Sequence, residues 1–407
     1  MTKQESKSAN SNSGLRNNIY YLGLTSLLND IASEMITPIL PIFLTSVLGA
    51  SGLAVGLVEG SAKAAEQLLS IFSGWYSDRI RKRKPLVVLG YLVTTLSKGL
   101  FAFTTSWPQF LVVRFAERSG KAIRTPPRDA ILARSVKVNE RRAGFAIHRV
   151  LDTGGAIVGP LLAILLLSQL GNDIGSAARS IFLIALVPGL IAVGIAVFLV
   201  KEPPILKGDG SNRRKLEIFN IAKYGPGFRT LLLSFVIFSL FAPTLAFFYL
   251  KASAVGFDLS GVLLLALLFS IAYIFGAGAL SVISKVRKIG ERQGVILGLL
   301  GLLLVFLIVS GVGSFEQFAV VFGAYGFFVG LLDVETKVYI ASLVKKELLA
   351  GAYGTYQTST GIAMLGSGVI FGLLWDLSPA YAFQVAAVGA MIGLGLFIVK
   401  GNPRKIR

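Results

Sequence analysis

The chain has no cysteine and a single histidine, His148, in 407 residues. That excludes disulfides, thiolate metal sites, thiol nucleophiles and multi-histidine clusters. It has neither the Gly-x-Ser-x-Gly elbow of a serine hydrolase nor the phosphate-binding loop of an ATP-driven pump. Charge is also scarce. Asp, Glu, Lys and Arg make up 15% of the chain, against about 25% in a soluble domain. Acids are the scarcer sign, 21 against 40 Lys and Arg, for a net charge of +19. No metal, no cofactor and no enzymatic activity is expected.

Apolar residues fill the space: 54% hydrophobic and 11% aromatic, with mean hydropathy +0.71. The composition predicts an all-α membrane protein. Runs long enough to span a bilayer, ~20 residues each, lie near 19–47, 53–77, 85–105, 108–133, 143–168, 178–200, 229–250, 258–284, 293–313, 315–338, 349–375 and 379–399. Residues 1–18 are polar, lack the apolar core of a signal peptide and read as a disordered cytoplasmic tail; 401–407 form a second tail. The Pro/Gly/Lys-rich stretch 201–228 reads as a cytoplasmic linker between two six-helix bundles, 19–200 and 229–400.

Charge placement orients these twelve spans. With the N-terminus inside, cytoplasmic segments hold 29 of the 40 Lys and Arg, outer loops hold only Arg179 and Lys251, and nine lie within spans. Such asymmetry predicts both termini in the cytoplasm, and it accounts for the basic balance without nucleic acid. The halves also repeat. Glu140, Ala143, Gly144, Gly154 and Gly159 recur 207 residues later as Glu347, Ala350, Gly351, Gly361 and Gly366. Gly74, Ser77, Arg81, Arg83 and Lys84 recur 204 residues later as Gly278, Ser281, Lys285, Arg287 and Lys288. Two related six-helix halves are the architecture of a rocking transporter.

The fourth span carries Arg114, Glu117, Arg118, Lys121, Arg124 and Arg128, within an arc of roughly 120° at 100° per residue. Each Arg or Lys at the centre of a membrane helix costs about 2.5–3.5 kcal/mol on the insertion scale. The stripe therefore needs partners or water inside the protein. Span one offers Asn29, Asp30, Ser33, Glu34 and Thr37 on one side; span two offers Glu59, Lys63 and Glu66 on one face. Asp30 and Glu34, a turn apart, repel, and a proton taken up near neutral pH relieves them. They are the expected substrate and proton-coupling residues, with Arg114, Glu117, Arg118 and Lys121 opposite. Glu59, Lys63 and Glu66 suggest a gate. Arg149 with Asp152 reads as a local structural pair, and His148 as an interfacial histidine rather than a coupling group. In the second half Phe241, Phe248, Tyr325 and Tyr356 are candidate substrate contacts, weighed against ordinary aromatic packing.

GWYSDRIRKRK at 74–84 resembles the signature loop of the major facilitator superfamily, and GGAIVGPLLA at 154–163 resembles its antiporter motif, although Ala163 and Ile164 replace the two final glycines. ERSGKAIRTPPRDA within the fourth span is similar to a group of bacterial permeases. The resemblance implies a twelve-helix fold in which the first and fourth helices of each half line a central cavity. It also implies that Asp78, with Arg79 beside it, latches the cytoplasmic side by pairing with Arg124 or Arg128 near Ala350 and Gly351. The expected function is secondary active transport of a small organic solute by alternating access, proton-coupled, with efflux favoured over uptake. A monomeric permease in the bilayer of the cytoplasmic (inner) membrane is expected, with a small-molecule substrate and protons as partners. The alternative is a membrane-embedded solute sensor with the same fold, disfavoured by the absence of an output domain.

Overall fold

Proline and glycine punctuate the apolar runs, and the helices begin and break where they stand. A computed structural model describes residues 15, 17–80, 82–136, 141–171, 173–204, 221–283, 290–345 and 348–400. The expectations placed on Arg81, Glu140, Lys285, Arg287, Lys288, Glu347, most of the linker and most of both tails lie outside the described residues. The described elements are helical: α1 (Asn18–Ile36), α2 (Gly52–Ile80), α3 (Lys84–Leu100), α4 (Trp107–Arg134), α5 (Arg141–Leu170), α6 (Ile174–Ile184), α7 (Leu186–Phe198), α8 (Pro226–Phe241), α9 (Leu245–Ala254), α10 (Leu259–Ile283), α11 (Glu291–Val309), α12 (Phe315–Leu343), α13 (Leu349–Leu377) and α14 (Pro379–Lys400).

Ten helical stretches among the described residues are long and apolar enough to cross a bilayer. They match ten of the twelve expected segments. The other two expected segments are α2 and α4, at 29 and 28 residues long enough to cross but more charged, because they carry the acidic and basic stripes.

Local chemistry sets the helix ends. The Glu202 carboxylate accepts the Arg83 N–H (3.0 and 3.1 Å) and the Lys84 N–H (2.6 Å), serving amides at the start of α3 that have no partner within the helix. Ser314 caps α12 reciprocally with Gln317, a capping box. Spans one and seven are both interrupted at proline. After α1 the chain passes Pro38 into Leu40–Ile42 and a π-helical turn, Phe43–Val47. After α8 it passes Pro243 into α9. Backbone groups freed inside a membrane need protein partners. Ser367 Oγ donates to the Ala242 carbonyl (2.6 Å), and Tyr325 Oη to that of Pro243 (3.5 Å). In α4, Pro127 cannot donate to the Ile123 carbonyl one turn back; Ser73 of α2 donates to it instead, at 2.6 Å.

The chain divides into two compact units. One takes the described residues of Met1–Thr37, Ala65–Thr105 and Val112–Leu216; the other takes those of Pro38–Ala64, Ser106–Leu111 and Glu217–Arg407. Within the first, α1 packs on α5 and α7, and α3 on α7. A core of Ile19, Leu22, Val87, Tyr91, Ile131, Leu132, Ala196 and Val200 lies there. Within the second, α8 packs on α13 and α14, and α11 on α14. The pairings are the same in serial order, first span with fifth and sixth, seventh with eleventh and twelfth. The sequence repeat is thus a packing repeat. In the second unit the start of α2 meets α13 through glycines: a Cβ on Gly56 would overlap the carbonyl of Gly368. Close by, the Asp376 carboxylate accepts the N–H groups of Gly52 (2.5 Å) and Leu53 (2.9 Å), an anion at the positive end of α2.

Candidate functional site

The charged stripe of α4 is bonded to acids on its own helix and on α2. Glu117, with its side chain 5% exposed, accepts from Arg114 Nη1 at 3.0 Å and lies 3.2 Å from Arg118 Nε. Arg118 Nη1 and Lys121 Nζ each lie 3.4 Å from Glu66, through opposite carboxylate oxygens. Glu66 thereby ties α2 to α4. Glu59 and Lys63 lie half-buried nearer the start of α2, each with interactions of its own.

The acids of α1 sit against α5. Asp30 and Glu34 lie directly on α5, where a Cβ added to Gly155 or Gly159 would stand 2.7 or 2.8 Å from their own Cβ atoms. These glycines leave room for two carboxylates between the helices. Asp30 accepts from Asn29 Nδ2 (3.2 Å) and lies 4.0 Å from Arg124 Nη2. Glu34 is half-buried and has no ion-pair partner within 4.0 Å among the described residues.

Toward the C-terminal end of α4, Arg124 lies over the Tyr91 ring at 4.3 Å, buried. Arg128 bonds Asp129 (3.0 Å) and Ser26 Oγ (3.0 Å) and lies 3.6 Å from Asp152. Asp78 is paired with Arg83 at 2.8 Å, not with Arg124 or Arg128, whose own acids lie on α1, α4 and α5. The expected partner therefore changes: Asp78 meets Arg83, five residues along the chain. Arg79 stacks over Trp75, 5.6 Å from its centroid.

Three groups have partners that the sequence did not assign. Lys98 is fully buried on α3 and donates to the Asn29 carbonyl (2.9 Å) and to Asn29 Oδ1 (3.0 Å). Asp152 does lie 3.7 Å from Arg149, as the local pairing suggested, but it also lies 3.6 Å from Arg128 of α4. His148 Nε2 lies 3.1 Å from Ser26 Oγ, which also contacts Tyr91 Oη at 3.0 Å. The readable signal was spacing: Ser26 and Asp30 are one turn apart on α1, as are His148 and Asp152 on α5.

The aromatic candidates divide. Phe248 is fully buried and stacks on Tyr325 with centroids 4.2 Å apart, against Phe322 and Phe383. Its ring belongs to the packing of the second unit. Phe241 and Tyr356 keep partial exposure, Tyr356 edge-on to Phe235 at 5.5 Å.

Known proteins resemble this chain in sequence and fold. An uncharacterised MFS-type transporter of Methanocaldococcus jannaschii is 34% identical over 391 residues, 95% of each chain. The multidrug resistance protein MdtH of Photorhabdus laumondii is 27% identical over 190 residues, 46% of this chain and 47% of that one. Among solved structures, a point mutant of the nucleoside transporter NupG superposes with a TM-score of 0.81 at 14% identity, over 94% of this chain and all of that one; the two share a fold. The family model described as Major Facilitator Superfamily matches residues 22–293, and this chain, a multi-pass membrane protein, belongs to that superfamily of transporters.

Proposed function

We propose that the protein is a proton-coupled secondary transporter of a small organic solute, working by alternating access as a monomer in the cytoplasmic membrane with both termini inside. The observation that carries the reading is Glu34. It is a half-buried carboxylate within a span, outside the ion pairs that bind Glu66 and Glu117 to the cations of α4. Acids locked into ion pairs are structural, and breaking such a pair is costly. An acid seated on Gly159 outside the lattice takes up and releases a proton without dismantling its surroundings. Efflux is the favoured direction, supported by the antiporter-like run on α5 and by the multidrug resistance relative. The charge asymmetry of the loops supports the orientation.

The test is flux in liposomes. Purified protein is reconstituted with a mixture of small metabolites, a pH gradient is imposed, and translocated solutes are identified by mass spectrometry. Glu34→Gln is expected to fold and to keep solute-dependent thermal stabilisation while losing gradient-driven flux. A folded Glu34→Gln protein with unchanged pH-driven flux refutes Glu34 as the coupling acid.

A further inference from the structure

The inner half of α12 carries Asp333, Glu335 and Lys337 within little more than one turn of a span. At 100° per residue they fall on different faces. Glu335 is buried, its carboxylate packed on Gly294 of α11. Asp333 and Lys337 share another face. Lys337 Nζ lies 2.9 Å from Asp333 Oδ1 and 3.0 Å from Oδ2, yet the two side chains are 55% and 37% exposed. Asp333 stands ten residues before the end of α12 at Leu343, about 15 Å of helix, within a hydrocarbon layer about 30 Å thick. A carboxylate at that depth faces protein or water, not lipid. The exposed part of the pair therefore opens on water inside the span.

The two members are held differently. The Tyr273 hydroxyl of α10 donates to Asp333 Oδ2 at 3.0 Å, so the short aspartate is fixed from a second helix. Lys337 is the more exposed member and ends a flexible four-carbon stem. The Tyr353 hydroxyl of α13 donates to the Lys337 carbonyl at 2.7 Å, which holds the lysine backbone and leaves the ammonium to Asp333. In water an i,i+4 pair of this kind favours its bonded form by only about a factor of two. A fixed, water-accessible carboxylate flanked by tyrosines of two helices thus bears a weakly held ammonium.

We propose that Asp333, positioned by Tyr273, recognises the ammonium group of a small amine, and that the Lys337 ammonium competes for the same place. An arriving amine takes over the bonds to both Asp333 oxygens, and the lysine swings out into water. The proposal names a chemical class for the solute and rests on the transport reading for its role in flux, but amine binding is measurable without flux.

The experiment is thermal unfolding of the purified full-length protein in detergent, titrated with phenethylamine and, as neutral and anionic analogues, phenethyl alcohol and phenylpropanoate. A ligand that binds the folded state alone raises Tm. Phenethylamine is expected to raise it saturably and the analogues to leave it unchanged. Asp333→Asn is expected to abolish the shift and Tyr273→Phe to weaken it. Lys337→Met removes the competitor and is expected to tighten the apparent Kd about twofold. A parent protein that ignores the amine, a shift matched by the alcohol, a phenylpropanoate shift that needs Lys337, or an amine shift that survives Asp333→Asn overturns the proposal. So does weaker amine binding in Lys337→Met. Should Asp333→Asn fail to fold with Lys337 unpaired, the double variant Asp333→Asn/Lys337→Met removes both charges, and an amine shift retained there overturns the site. If the amine binds through Asp333 and no solute crosses the liposome membrane, the site stands and the transport reading falls. If solutes cross and the amine does not bind, transport stands and this site falls.

Discussion

Glu117→Gln and Glu34→Gln make the same chemical change on two helices of one unit, and the structure assigns them opposite costs. Glu117 and Arg114 are both buried, with side chains 5% and 2% exposed and a 3.0 Å bond between them; Glu117 also faces Arg118 at 3.2 Å. Removing one partner of a buried ion pair costs about 3–5 kcal/mol. The glutamine carbonyl still accepts one hydrogen bond, worth about 1 kcal/mol. The expected loss is therefore about 2–4 kcal/mol, a thirtyfold to several-hundredfold shift toward the unfolded state at about 1.4 kcal/mol per decade. Glu34 breaks no ion pair when neutralised, so its variant is expected to lose less than about 1 kcal/mol. SDS titration in mixed micelles, followed by circular dichroism, measures both. Should Glu117→Gln stay within about 0.5 kcal/mol of the parent, or Glu34→Gln prove the less stable of the two, the division between a bonded lattice on α4 and an unbonded acid on α1 is wrong.

Three further predictions concern other parts of the chain. If Asp78 gates the cytoplasmic side, Asp78→Asn is expected to speed maleimide labelling of a cysteine at Ala350, which is exposed, whereas a Cβ at Gly351 would lie 2.8 Å from Tyr224 Oη; an unchanged rate rejects the gate. Gly56→Ala drives a methyl into the Gly368 carbonyl and is expected to cost about 1–3 kcal/mol, while Gly323→Ala, with no atom of the described residues within 4 Å of its new Cβ, serves as the control without a clash; equal melting temperatures contradict the close contact. At the start of α6 the Ser176 N–H donates to Asp173 at 2.8 Å and holds its carboxyl below the ordinary range. A depressed folded-state value means that this cap stabilises above the ordinary carboxylate range and is lost as pH falls through the lower, folded value. Hydrogen exchange at Ser176, corrected for its intrinsic pH dependence, is expected to rise there in the parent and to lose that step in Asp173→Ala.

The sequence by itself determined the helix lengths, the charged stripe of α4, the acids of α1 and the repeat. Each is a periodicity along one chain, and burying a backbone in lipid forces a single answer on each run. Charge made α2 and α4 less apolar than the other spans, yet their length and position in the series were legible. Tertiary structure decided which acid each base meets. Spacing placed Asp152 beside Arg149 because both lie on one helix face; the packing of α5 on α1, close where Gly155 and Gly159 admit Asp30 and Glu34, brought it to Arg128 as well. Lys98 was a cation deep in an apolar helix until the fold put the Asn29 carbonyl within 2.9 Å of it. Asp78 meets Arg83 across the loop between α2 and α3. Rotation, register and loop path belong to pairs of elements, and no single helix encodes them.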